Sequence, residues 1–454
     1  MKKRVIFIVV TALLCCLLVA CGSKTRLQAP QNIRQNGPFL IWDEVKNAEG
    51  YIVLADNEEY VTAEPSCNLS FLGGETVYVV KIKAVGDGEN FADSDWSEFG
   101  FNEIFKYTLL ADGSGYEVNL SVSSVELQDR KVVVPSTYEN LPVTRIADKM
   151  FYKCASLTEV ALPNTLKEIG ANAFYNCDAL ESIELPASVT AIGSGAFSGC
   201  SSLKKIVVPS GVECIAEEMF YECASLTEIV LSNTLKEIKR AAFAHCIALE
   251  SIELPESVTA IGSSAFSGCL SLKKIVVPDG IERIEGNMFG DCTSLTEVVL
   301  PSTLKEIRGM AFLGCIVLEN IELPESVTAI GSIAFGGCSS LKKIVVPTGV
   351  ERIEGSTFVG CSNLTEVVLP STLKEIMGMA FRNCEALKTV VLPSSLKDIG
   401  KGAFSNCPLE SVFFGGTEAE YLSVSVAEGN DSILSAAVYF YSETEPTENP
   451  QKFW

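Results

Sequence analysis

The chain has 454 residues, 47% hydrophobic and 20% charged, so it can bury a large core and is not disordered as a whole. Its formal charge of −22 argues against nucleic acid as a partner, because phosphate binding needs clustered Lys and Arg. The one histidine, His245, argues against a His-rich metal site or a His-based catalytic triad. The chain opens Met1-Lys2-Lys3-Arg4 and continues with an apolar stretch from Val5 to Val19. That stretch is short and abruptly ended for a transmembrane helix and reads as a targeting segment.

The segment ends Leu18-Val19-Ala20-Cys21-Gly22-Ser23, which resembles a bacterial lipobox. In such precursors the Cys thiol takes a diacylglycerol and the signal is cut before it. Residues 1–20 are therefore expected to be a lipoprotein signal peptide. Cys21 is the expected lipid attachment point and tie to a membrane, and 21–26 a short linker. More than one acyl chain gives a stable anchor where a single chain is marginal. The alternative is an ordinary secretory signal that happens to end near a cysteine. Cleavage removes three positive charges and leaves −25.

Residues 27–103 do not repeat. Phe39-Leu40-Ile41-Trp42, Tyr51-Ile52-Val53-Leu54 and the run from Val77 to Val85 read as strands separated by turns, the last by its period of two. Pro30, Trp42 with Asp43, Tyr51, Leu72 with Tyr78, Ala84 and Asp93-Ser94-Asp95-Trp96-Ser97 together resemble a fibronectin type III module. The resemblance implies a β-sandwich with Trp42 in its core and Leu72 and Tyr78 as a tyrosine corner. A spacer role is expected for this domain, with ligand binding as the alternative.

Cysteine then recurs at 154, 177, 200, 223, 246, 269, 292, 315, 338, 361, 384 and 407, always 23 residues apart, each with a phenylalanine three residues before it. A fixed period of this length signals a solenoid. One unit runs Cys154-x-x-Leu157-x-x-Val160-x-Leu162-Pro163-x-x-Leu166-x-x-Ile169-x-x-x-Ala173-Phe174. Leu157, Val160 and Leu162 predict one short strand per coil, with 160 and 162 facing the core. Pro163 closes that strand. No coil can bury its apolar face alone, so the coils must stack. A second period of 69 overlies the first: Leu-Thr-Glu recurs at 157, 226, 295 and 364, and Lys-Lys at 204, 273 and 342.

This consensus, with Leu-Pro, Ile-Gly, Ala-Phe and Cys in order, closely resembles the BspA-like leucine-rich repeat proteins (23-residue, Treponema pallidum type). The resemblance covers residues 106 to about 441. It implies a bacterial cell-surface protein that attaches to host extracellular proteins, host cells or other microbes. Ser232 departs by replacing the strand-closing proline, and Met150, Met219 and Met288 by replacing the alanine before Phe. Residues 106–150 resemble the family's N-terminal cap, 151–407 are the repeats, 408–441 the C-terminal cap, and 442–454 a flexible tail. The expected fold class is thus mainly β with short helices and turns: a leucine-rich solenoid preceded by an all-β sandwich.

The twelve ladder cysteines form a line rather than a tetrahedron, so they read as small buried hydrophobes, not zinc ligands or disulfides. Cys67 and Cys214 lie off the ladder; Cys214 is expected to be exposed, and a bond between the two stays open. His245 falls at a turn position and is expected to be solvated. No nucleophile motif, phosphate loop or calcium loop is visible, so neither catalysis nor a cofactor is expected.

The best candidate surface is the outward strand face. Five residues after each ladder Cys it reads Glu159, Ser182, Lys205, Glu228, Ser251, Lys274, Glu297, Asn320, Lys343, Glu366 and Thr389. Two further on it reads Ala161, Glu184, Val207, Val230, Glu253, Val276, Val299, Glu322, Val345, Val368 and Val391. Each Lys should neighbour a Glu on the next coil. The lysines and valines of these rows are the candidate binding residues, suited to an extracellular protein or glycan ligand. Glycan capture predicts aromatic platforms, of which these rows carry almost none. A purely structural surface-layer role is the remaining alternative.

Overall fold

A computed structural model describes residues 24–36, 39–55, 58–68, 78–101, 105–121 and 131–440. Residues 1–20, expected as a signal, Cys21, Leu72, the Tyr78 side chain and residues 442–454 lie outside the described residues. The chain divides into two compact units, with the boundary between Phe101 and Asn102.

In the first unit, β1 (Thr25–Arg26) pairs with β8 (Phe91–Ala92), so ordered pairing starts inside the segment expected as linker. The strands β2 (Arg34–Asn36), β3 (Phe39–Ile41) and β6 (Ser66–Asn68) form one antiparallel sheet. The other sheet has the order β5 (Glu58–Thr62), β4 (Gly50–Ala55), β7 (Tyr78–Val85), β9 (Ser97–Phe101). Alternation places Val80, Ile82 and Ala84 inward, opposite Ala55, Val53 and Tyr51. With Leu40 and Trp42 they make the core, where Trp42 and Tyr51 meet edge to face at 5.2 Å. Among the described residues the Tyr51 hydroxyl accepts the Val45 N–H at 2.8 Å.

The second unit is a stack of parallel coils. Its first strand row pairs Lys205–Val207 with Glu228–Val230, Lys274–Val276 with Glu297–Val299, and Lys343–Val345 with Glu366–Val368. Coils at Ser182, Ser251 and Asn320 join this row only by an isolated bridge to Lys205, Lys274 and Lys343. Those coils carry Glu184, Glu253 and Glu322 where the coil after each carries a β-branched valine. The expectation of one strand per coil is too low. A second row of two-residue strands, among them Glu168–Ile169, Glu237–Ile238, Arg283–Ile284, Glu306–Ile307 and Glu375–Ile376, lines the opposite wall with its isoleucines buried. Two residues are too few to show a period, so the sequence pattern hides them. Where the consensus reads Ile-Gly, a Cβ would collide with the preceding coil: on Gly331 it would sit 2.5 Å from the Gly309 nitrogen.

Between the rows runs a column of phenylalanines from Phe151 to Phe404, buried and stacked at 5.1–5.8 Å between centroids. Each Phe N–H up to Phe381 donates to a carbonyl of the following coil, as Phe243 does to Ala265 at 2.8 Å. The ladder cysteines lie beside this column, all buried. They are more than small hydrophobes. From Cys177 to Cys407 each thiol donates to the carbonyl of the Phe one coil back and three residues further, at 2.9–3.3 Å. That carbonyl also accepts the N–H of its own coil's cysteine, as Phe243 does from Cys246 at 3.2 Å. Burial pushes the thiols from Cys154 to Cys361 above their usual range, to about 11 for Cys154 and about 12 for Cys200, Cys292 and Cys361, whereas Cys407 is held below its usual value by its contact with Cys384.

Just before each ladder cysteine the backbone is left-handed, from Lys153 (φ 60°) to Asn406 (φ 62°). That is why this position carries Gly, Asn, Asp, Glu, Lys and, once, His245. A second left-handed position lies four residues earlier and holds Ile333 at φ 61°.

At the start of the solenoid, Phe105–Leu109 and Tyr116–Leu120 form a hairpin whose second strand joins Leu141–Ile146 and through it the second row. At the end, Ser411–Phe414 and Ala437–Phe440 extend the first row, with short helices Glu418–Leu422 and Asp431–Ser435 between them. Thr417 and Glu420 make a capping box on the first helix.

Candidate binding face of the solenoid

The outward side of the first row is built by strand alternation. Ile206, Ile275 and Ile344 point inward and are buried, so Lys205 with Val207, Lys274 with Val276 and Lys343 with Val345 point out. Val207, Val230, Val276, Val299 and Val345 are 42–50% exposed, while Val368 and Val391 are half-buried. Covering one such half-exposed valine is worth roughly 1 kcal/mol. A row of them is an apolar stripe that the solenoid itself leaves uncovered.

The lysines are committed. Lys205 meets Glu228 on the following coil at 2.5 Å, and Lys274 meets Glu297 and Lys343 meets Glu366 at 2.6 Å. The lysine before each reaches the other way: Lys204 to Glu181 at 2.7 Å, Lys273 to Glu250 and Lys342 to Glu319 at 2.6 Å. Each Lys-Lys pair therefore ties a middle coil to both neighbours, which accounts for its 69-residue period. These pairs are exposed, so each adds under about 1 kcal/mol. Glu184, Glu253 and Glu322 stand in the valine row, exposed, with no ion pair or hydrogen bond among the described residues.

The row does carry aromatics, beyond the last ladder cysteine. Phe413 and Tyr439 continue the register of Val391 and stack at 5.0 Å, and Tyr439 is 48% exposed. Their spacing no longer follows the 23-residue period, so counting from the cysteines misses them.

Other candidates are occupied or solitary. A groove of about 770 Å³ on the second row is lined by Arg308, Ala329, Gly331, Arg352 and Lys374. Arg308 pairs with Glu285 at 3.0 Å, Arg352 with Glu375 at 2.6 Å and Lys374 with Glu351 at 2.7 Å. His245 is exposed and meets the Tyr221 ring edge-on at 5.5 Å. Cys214 is half-buried rather than exposed, a free thiol 3.6 Å from a Glu237 carboxylate oxygen. Cys67 is also a free, half-buried thiol. Among the described residues no group of three His, Cys, Asp or Glu is placed to hold a metal ion.

The model of the BspA type leucine rich repeat region matches residues 134–246, 213–332 and 305–421, a continuous span of more than half the chain. The chain belongs to this family. Similar solved structures include a leucine-rich repeat protein from Bacteroides ovatus, 27% identical over 75% of this chain and 99% of that one, with a TM-score of 0.47. A leucine rich cell surface protein from Faecalibacterium prausnitzii is 26% identical over 72% of this chain and 97% of that one, with a TM-score of 0.44. The leucine rich repeat protein of T. pallidum is 28% identical over 53% and 89%, with a TM-score of 0.35. No curated protein matches the chain. Membership in this leucine-rich repeat family is in keeping with a protein-binding role.

Proposed function

We propose that the protein is a lipid-anchored surface adhesin, held by Cys21 and binding an extracellular protein along the first strand row. The observation that carries this reading is the stripe of half-exposed valines, repeated at fixed height over the coils. Many weak contacts along such a row sum to useful affinity without a pocket. The sandwich unit, with three- and four-stranded sheets closing over Trp42, fits a fibronectin type III-like spacer between lipid and solenoid. Enzymatic function is not part of the proposal.

A second reading, glycan capture, is favoured by one feature, the stacked Phe413–Tyr439 pair at the end of the row. The test is to probe the full chain on arrays of immobilised extracellular-matrix proteins and mucosal glycans. Protein binding supports the adhesin. Glycan binding without protein binding, lost in Tyr439→Ala, promotes glycan capture instead. Silence on both arrays overturns the adhesive reading in favour of a structural surface-layer role.

A further inference from the structure

The charges of the binding face are not equivalent. Its lysines are neutralised by the glutamates of adjacent coils. Glu184, Glu253 and Glu322 are the exception, since they are exposed and carry no partner among the described residues. They recur every third coil, so at about 4.8 Å per strand they stand roughly 14 Å apart. Between them lie the pairs Val207 with Val230 and Val276 with Val299, which occupy registered positions on neighbouring strands. The face thus reads acid, two valines, acid, two valines, acid. After Glu322 come Val345, Val368, Val391, Phe413 and Tyr439 with no further acid.

An extended polypeptide lying along the solenoid axis advances about 3.4 Å per residue, so four residues span roughly 14 Å. Alternate side chains face the surface. A segment with a cation at every fourth residue and an apolar side chain midway would set each cation on a free glutamate and each apolar group on a valine pair. The formal charge of −22 steers cations toward the chain.

We infer that the partner is a basic, extended polypeptide segment of the pattern cation-x-apolar-x, seated over Glu184, Glu253 and Glu322 and the valine pairs between them. The inference rests on the strand-face reading and narrows it to one chemical class.

The experiment measures binding of a labelled peptide of three Lys-Ser-Val-Ser repeats to the full chain by fluorescence anisotropy at low salt. A second peptide has the same composition with its lysines adjacent. The spaced peptide is expected to bind at least tenfold more tightly than the clustered one. It is also expected to lose at least tenfold in the triple variant Glu184→Gln, Glu253→Gln, Glu322→Gln, whose exposed, unpartnered sites leave folding untouched. Equal binding of the two peptides would reduce the effect to bulk charge and overturn the inference. So would an undiminished triple variant, or no binding of the spaced peptide. If the triple variant still captures a matrix protein on the array and a Val276→Asp, Val299→Asp, Val345→Asp variant does not, the strand face stands and the basic partner alone falls.

Discussion

Ser432 donates its hydroxyl to the Phe404 carbonyl at 2.8 Å, the bond that a ladder cysteine makes one coil on from each earlier phenylalanine. Its neighbour Asn430 completes the substitution. The Asn430 side-chain oxygen accepts the Phe404 N–H at 3.0 Å, where earlier phenylalanines donate to the next coil's backbone. The Asn430 amide also donates to the carbonyls of Gly400 and Ala427 at 2.9 and 2.8 Å. Two side chains thus stand in for a missing coil and end the ladder with its polar groups satisfied.

Asn430→Ala should therefore cost about 3 kcal/mol, since it orphans a buried N–H and two carbonyls. Ser432→Ala should cost about 1 kcal/mol. Chemical denaturation of the full chain checks both. Equal, negligible losses would mean that the helices of the cap, not these bonds, close the solenoid.

Within the ladder, the thiol bond separates from its volume by substitution. Cys269→Ala loses both and should cost about 2 kcal/mol. Cys269→Ser keeps a donor facing the Phe243 carbonyl and should cost less. If Ser and Ala destabilise equally in denaturant melts, the thiol acts by packing alone.

The same burial makes stability fall in alkali. The folded-state thiol values lie above the unfolded ones, so the folded chain holds protons that the unfolded chain releases. The stabilisation is full below pH 9, the unfolded value, and is lost as pH rises towards about 11 to 12, the folded values. Each of these four thiols adds a slope of about −1.4 kcal/mol per pH unit in that window. The melting temperature should be flat from pH 7 to 8.5 and drop steeply above 9. A flat profile to pH 11 would contradict it.

Ile333 at φ 61° carries strain that a β-branched residue pays nowhere else in the turn rows. Ile333→Asn, the residue type found at the matching Asn172 and Asn287, should stabilise by about 1 kcal/mol. A lower melting temperature for the variant would show that the isoleucine's contacts outweigh the strain.

The solenoid was legible because Cys and Phe recur without slippage, and a stack needs the same residue at the same place in every coil. The outward valines and the Lys–Glu pairing followed from the strand's period of two. What the sequence concealed was made by contacts between coils. The thiol-to-carbonyl bond joins Cys177 to Phe151 across 26 residues and leaves no spacing signal. The second strand row is too short to show a period. Asn430, Ser432, Phe413 and Tyr439 act where the repeat has ended, so only their positions in space assign them to the ladder and the face. In the first unit, Trp42 stood out by its type, whereas the Tyr51 hydroxyl is marked by its contact with Val45 and not by a motif.

The central claim is that the valine row is where this protein binds. The direct measurement compares three full-length proteins on the matrix-protein array: the native chain, the triple variant Val276→Asp, Val299→Asp, Val345→Asp, and a turn-edge control, Ile316→Asp, whose side chain is 44% exposed. All three should melt cooperatively at similar temperatures. The prediction is that the triple variant loses capture by at least tenfold and the control keeps it. Undiminished capture by the triple variant would contradict the account.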